Sequence, residues 1–341
     1  MTPVAQPSPL DTQTPLSEQT TRLTKLLAWL ETSEELDRLA AILKPVATRL
    51  NGAPALRDVA TGRFLGHPAH PALVSLPLGC WTATELLDLF AGSEARRASQ
   101  LLVGAGVLTA GPAVVSGLSD WVDTEGAEKR IGIAHALCNF VSLGLFTGSW
   151  LARRSRRYTI GLVLGSVGAS TVAVAGFLGG HLAYVRGVGV NTTAFESGPT
   201  EWTPIKHSEL SSTGQQVAGS VNDVALVILA DSRTANSYRV LEDRCTHRGG
   251  PLHEGKVEDG CLVCPWHGSK FDVVTGTVQR GPASVSQPVY EVRHVNGEVE
   301  VKRPEHGDLR KNPVTPGSVS ELVEQSGAAD RSAGAVASRD S

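Results

Sequence analysis

The rhythm of apolar residues changes twice along the chain. Near the start, Leu23, Leu26, Leu27 and Leu30 recur at i, i+3, i+4 and i+7, and Leu36, Leu39 and Leu43 follow at similar spacing. This period predicts two short amphipathic helices, with Thr32 and Glu35 placed as a capping box between them. Such helices can lie on a membrane surface, but packing against other helices is the expected role. Four nearly unbroken apolar stretches come next, at 71–90, 101–118, 131–151 and 159–182, with acids and bases gathered in three short breaks. Each approaches the ~20 residues a helix needs to cross a bilayer. A buried soluble core would not confine its charges to the connections in this way. Gly161 and Gly165 make one small-xxx-small pair, which suits close helix packing in lipid.

From about residue 199 the texture becomes short β-branched runs such as 224–230, broken by Gly, Asn and Asp. That pattern predicts an all-β domain. The expected architecture is therefore multidomain, an α-helical four-span membrane bundle followed by antiparallel sheets. We place a disordered N-terminus at 1–15, an amphipathic helical segment at 16–59, the membrane domain at 60–190, the β domain at 199–302 and a disordered tail at 303–341. No internal repeat is legible.

Composition sharpens this outline. An apolar content of 41% over 341 residues looks soluble only because polar ends dilute the middle. The net charge of -3 and the lack of a basic tract exclude nucleic acid as a partner. The first twenty residues have neither a basic region nor an apolar one, so no cleavable signal is expected and targeting falls to the internal segments.

Three of the five cysteines lie within twenty residues of one another, beside two histidines. Cys245-x-His247 is followed, after sixteen residues, by Cys264-x-x-His267. Two Cys and two His can hold zinc, but zinc motifs place like ligands together. Here each half supplies one thiolate and one imidazole, which suits two irons, Cys245 and Cys264 on one, His247 and His267 on the other. Gly249, Gly250 and Gly268 let the two loops approach closely. Cys261 is read as a structural thiol, because its CxxC partner Cys264 is committed to iron.

Residues 202–301 resemble the Rieske ferredoxin family through CTHRGGPL and CPWHGS. The resemblance implies a three-layered antiparallel β fold, a Rieske-type [2Fe-2S] cluster at an exposed tip, and one-electron transfer. The family's respiratory branch has an additional cysteine in each loop, where this sequence has Gly250 and Trp266, so no disulfide is expected at the tip. In that branch a Ser and a Tyr hydroxyl also bond to the cluster and its cysteine. Ser269 is kept and Phe271 replaces the Tyr, which implies a potential in the lower half of the Rieske range of about -150 to +300 mV.

Residues 60–190 resemble a family of uncharacterised four-helix bacterial membrane domains that open with GHPxHP, here Gly66 to Pro71. The resemblance implies a multi-pass protein of the bacterial cell membrane. If odd spans start and even spans end on one side, His67, His70, His135, His181 and Asp120 gather at one face. Ionisable groups at membrane depth are costly and often functional. A b-type haem or a quinol pocket there competes with histidines that merely cap helix ends. Glu85 and Asp88 lie toward the other face, where simple snorkelling is expected. Six arginines against five basic residues on the cluster side is a weak positive-inside count, and it leaves the side of the β domain open.

The expected function is a membrane-anchored one-electron carrier, serving a redox protein or quinone. The alternative is a membrane oxidoreductase whose bundle adds a haem or quinol site. A ring-hydroxylating oxygenase alpha subunit would need a further domain with a 2-His-1-carboxylate iron, and only about forty residues, with His306 as their sole histidine, follow the β domain.

Overall fold

The structure, a computed structural model, describes residues 22–207, 216–230, 238–295 and 298–304. The expected disordered start and all but two residues of the tail lie outside these. The described residues divide into a helical unit, 22–60 with 70–190, and a β-rich unit, 61–69 with those from 191 onward. The short segment at 61–69, expected within the membrane domain, makes its contacts with the β-rich unit. Arg63 there donates to the Val278 carbonyl at 3.2 Å.

The helical unit contains α1 (Arg22–Thr32), α2 (Glu34–Leu50), α3 (Pro54–Ala60), α4 (His70–Phe90), α5 (Arg96–Trp121), α6 (Gly126–Arg154) and α7 (Tyr158–Gly180), the last continued by a wider turn at His181–Val185. Helices α4, α5, α6 and α7 with its turn are long and apolar enough to cross a membrane. They outrun the apolar stretches because backbone hydrogen bonding continues past the apolar run into polar helix ends.

Helices α1 and α2 pack as expected: Leu30, Leu36, Ala40 and Ala47 share a core with Trp121, Ile131 and Leu178. Asp37 bridges Lys129 and Arg130 at 2.9 and 2.7 Å, and Glu31 pairs with Arg186. The capping box does not form. Thr32 bonds back to the Ala28 carbonyl at 2.9 Å inside α1, a local bond that competes with capping, and Ser33 takes the N-cap position of α2.

The structure shows a repeat the sequence did not. His70 of α4 lies against Gly117 of α5, and His135 of α6 lies against Gly179 of α7. Trp81 covers Gly106, and Phe146 covers Gly168. The α6 positions follow their α4 counterparts by 65 residues, and the α7 positions follow those of α5 by 62. The α4–α5 hairpin thus packs as the α6–α7 hairpin does. The aromatic pair meets between them, Trp81 and Phe146 stacking at 4.2 Å with 6° between planes. Only the contact positions repeat, each diluted by interchangeable Ala, Val and Leu, so linear inspection finds nothing.

Snorkelling at Glu85 and Asp88 is also corrected. Arg153, 2% exposed, holds the Asp88 carboxylate with two guanidinium nitrogens, one at 3.0 Å, and Ser166 donates to Glu85 at 3.0 Å. The glycine pair makes the room. A Cβ on Gly161 would come within 2.6 Å of the Arg153 side chain, and one on Gly165 within 2.8 Å of Glu85. A charge in a low-dielectric interior needs its partner, so Arg153 folds inward.

The β-rich unit contains β1 (Thr203–Pro204), β2 (Lys206–His207), β3 (Gln216–Val221), β4 (Val224–Ala230), β5 (Tyr238–Glu242), β6 (Lys256–Glu258), β7 (Cys261–Val263), β8 (Lys270–Asp272), β9 (Val278–Arg280), β10 (Val289–Val295) and β11 (Glu298–Lys302). Seven strands form one antiparallel sheet in the order β1-β11-β10-β5-β4-β3-β2, and β6 to β9 form a second in sequential order. Asn222 and Asp223, both at positive φ, close the β3–β4 hairpin, a turn these residue types tolerate. Leu229 and Leu241 from the large sheet meet Leu262 and Phe271 from the small one in a core that also contains Cys245 and Cys264.

Candidate metal centre

Two loops carry the motif, one between β5 and β6 and one between β7 and β8. They are built alike. The Cys245 amide donates to the Gly250 carbonyl at 2.9 Å, and the Gly249 amide returns to the Cys245 carbonyl at 2.8 Å. In the second loop Cys264 bonds to Ser269 at 2.9 Å and Gly268 to Cys264 at 3.1 Å. Gly249 and Gly268 occupy matching places at φ of 74° and 72°, a conformation costly for any residue with a Cβ.

Each loop turns two backbone N–H groups onto its cysteine sulfur: His247 and Arg248 onto Cys245, Trp266 and His267 onto Cys264. The two buried thiols are also bonded to each other. That shared hydrogen bond lowers the Cys264 thiol and, together with burial, raises the Cys245 thiol. A metal needs thiolates, and these loops favour the first of them.

The imidazoles form their own pair. The rings of His247 and His267 stand 5.0 Å apart at 87°. Two imidazoles on one tetrahedral metal, with bonds of about 2.0–2.1 Å, place their ring centres about 5 Å apart. Among the described residues no group of three or more His, Cys, Asp or Glu side chains converges as for a single ion. Thiol with thiol and imidazole with imidazole is the division that two metal positions require. Gly250 completes the cradle, since a Cβ there would stand 3.0 Å from the Cys264 sulfur and from the Trp266 ring.

Residues 201–291 match the Rieske [2Fe-2S] domain family. Ferredoxin CarAc of Metapseudomonas resinovorans is 38% identical over 81 residues, 24% of this chain and 76% of that protein. The ferredoxin subunit of anthranilate 1,2-dioxygenase from Burkholderia cepacia is 31% identical over 101 residues, 30% of this chain and 91% of that one. The chain belongs to the Rieske family. Its cofactor is a Rieske-type [2Fe-2S] cluster, and the paired thiols and paired imidazoles fit that group. Residues 66–192 match a second family, described as a predicted membrane protein (DUF2231).

Around the Rieske loops the structure adds residues that sequence reasoning missed. Gln287, 1% exposed, accepts from the Thr246 amide at 3.2 Å and donates to the Glu242 and Arg244 carbonyls at 2.7 and 2.8 Å. Thr246 itself donates to the Val285 carbonyl at 2.8 Å. Ala283, from the same segment, donates its amide to the Ser269 hydroxyl at 3.0 Å, which leaves the hydroxyl proton of fully buried Ser269 free to donate. One segment between β9 and β10 therefore clamps both loops. Its sequence, GPASVSQP, reads only as a turn-rich connection. Asp243 secures the far end of the first loop, accepting from the His253 amide and ring at 2.6 and 2.7 Å.

Phe271 is fully buried in the core without a hydroxyl to offer, and Cys261 is a half-buried free thiol on β7 whose proton burial holds on more tightly. Of the five candidate membrane residues, the structure brings together two. The rings of His70 and His135 stand 6.3 Å apart at 78°. His181 instead meets Glu31 at 3.2 Å, His67 is exposed in the β-rich unit, and among the described residues no hydrogen bond joins Asp120 to a histidine.

Proposed function

We propose that this Rieske protein is a membrane-anchored one-electron carrier, with Cys245 and Cys264 on one iron and His247 and His267 on the other. The segregation of two thiols from two imidazoles in matching loops carries this reading. The cluster supplies a one-electron couple. The protein's own groups set its terms: four backbone N–H groups and the Ser269 hydroxyl stabilise negative charge at the sulfurs, while the Gln287 clamp keeps both loops in place. Trp266 is 56% exposed beside His267 and leaves the cluster edge accessible to a redox partner.

The four apolar helices, each long enough to cross a bilayer, support reading this carrier as a multi-pass protein of the bacterial cell membrane. The partner is a second redox protein or a quinone. Relatives named as ferredoxins, one of them a dioxygenase subunit, favour a redox protein, and among these an oxidoreductase that draws electrons singly. The test is a redox titration of membranes containing the full chain, followed by low-temperature EPR. A Rieske signal that remains with the membrane after carbonate washing and titrates as a one-electron couple supports the reading. A signal released by carbonate, or a two-electron titration, contradicts it.

A further inference from the structure

We propose that His70 and His135 are the axial ligands of an iron porphyrin inside the helical unit, a deepening of the membrane-carrier reading that adds a second one-electron centre. The pair is built twice by the same means. His70 donates its Nδ1 proton to the Ala113 carbonyl at 3.0 Å, and His135 donates to the Ala175 carbonyl at 2.8 Å, each one turn before the glycine that receives the ring. Locking Nδ1–H to a backbone carbonyl fixes the tautomer and leaves Nε2 as the lone-pair nitrogen, the way ligating histidines are oriented.

The spacing is that of two ligands across one metal. With bonds of about 2.0–2.1 Å, imidazoles on opposite sides of an iron hold their centres about 6 Å apart, and their planes are free to cross. The observed 6.3 Å and 78° meet that condition. No third His, Cys, Asp or Glu joins them among the described residues. A bare zinc site uses three or four protein ligands, whereas a porphyrin fills the equatorial positions itself. Asn139 donates to His135 Nε2 at 3.1 Å and to the His135 carbonyl at 2.9 Å, so ligation requires its amide to release the first bond and the two hairpins to part enough to admit the porphyrin.

The test is the full chain expressed with a haem precursor and purified in detergent. The expected result is a low-spin haem spectrum that His70→Ala and His135→Ala each abolish, while His67→Ala and His181→Ala retain it. His70→Met and His135→Met control for folding and should keep the haem with an altered ligation spectrum. Haem bands that survive the His70→Ala/His135→Ala double variant overturn the proposal. So does a chain that stays haem-free on reconstitution, or one that binds copper or zinc there without porphyrin. The Rieske EPR signal is recorded in every sample. Its presence without haem refutes only this inference, and its absence refutes the carrier reading.

Discussion

Replacing Gln287 by Ala tests whether the β9–β10 segment holds the Rieske loops. The side chain is 1% exposed and makes three hydrogen bonds to backbone groups of the 242–246 stretch. Truncation strands the Thr246 amide and leaves two carbonyls each short of a donor, in a place where water reaches poorly. A buried polar group left unpaired costs about 1–3 kcal/mol, and relaxation around the gap recovers part of that, so a net loss of about 3 kcal/mol is expected. For a unit of this size that lowers the thermal midpoint by about 10–20 °C. The assay is a thermal ramp of the full chain in detergent, monitored by loss of the visible Rieske absorption. Gln287→Glu keeps the shape but replaces the donating amide with a charge facing two carbonyls, and should be at least as damaging. A midpoint within about 2 °C of the parent for both variants would refute the clamp.

Four further outcomes follow from the same geometry. Cys245→Ser should abolish cluster binding and His247→Cys should change or abolish the Rieske signal, read by EPR. Ser269→Ala removes the hydroxyl proposed to donate to the cluster, a charge-assisted bond of about 1.5–3 kcal/mol, and should lower the midpoint potential by about 60–130 mV in a redox titration, while a Phe271→Tyr hydroxyl reaching the cluster cysteine should raise it. Arg153→Met strands the Asp88 carboxylate and should cost about 3–5 kcal/mol of helical-unit stability in detergent unfolding, most of it recovered in Arg153→Met/Asp88→Leu. Burial pushes the carboxyl of fully buried Glu242 up to about 7, against the Tyr290 hydroxyl bond at 3.0 Å that pulls it down. The folded state therefore holds a proton that the unfolded chain releases near pH 4.5, and stability should fall as pH rises from about 4.5 to 7. Glu242→Gln should flatten that fall in pH-dependent melting curves.

How legible each feature was depended on how local its cause is. The four proposed ligands stand out in the sequence because the two half-motifs are contiguous, and Gly249 and Gly268 because each serves a turn of its own loop. The four long helices were readable as apolar length, although their polar ends were not. Gln287 was invisible because its three partners lie more than forty residues away in a loop that a Pro/Ser-rich segment happens to cross. The Arg153–Asp88 pair was missed for a related reason. Arg153 sits in a basic run that reads as a solvated helix end, and only the α7 glycines turn it inward. Among the membrane histidines, counting spans put five candidates at one face, whereas side-chain partners separate them. The His70–His135 pair depends on matching glycines 62 residues apart, which no single stretch of sequence displays.

The central claim is the cluster and its ligands. Low-temperature EPR and elemental analysis of the dithionite-reduced, detergent-purified full chain address it most directly, with Cys245→Ser run in parallel. A Rieske signal with iron and acid-labile sulfide in equal amounts is expected from the parent chain, and neither from the variant. A zinc-loaded protein without the signal, or an unchanged signal in Cys245→Ser, would contradict it.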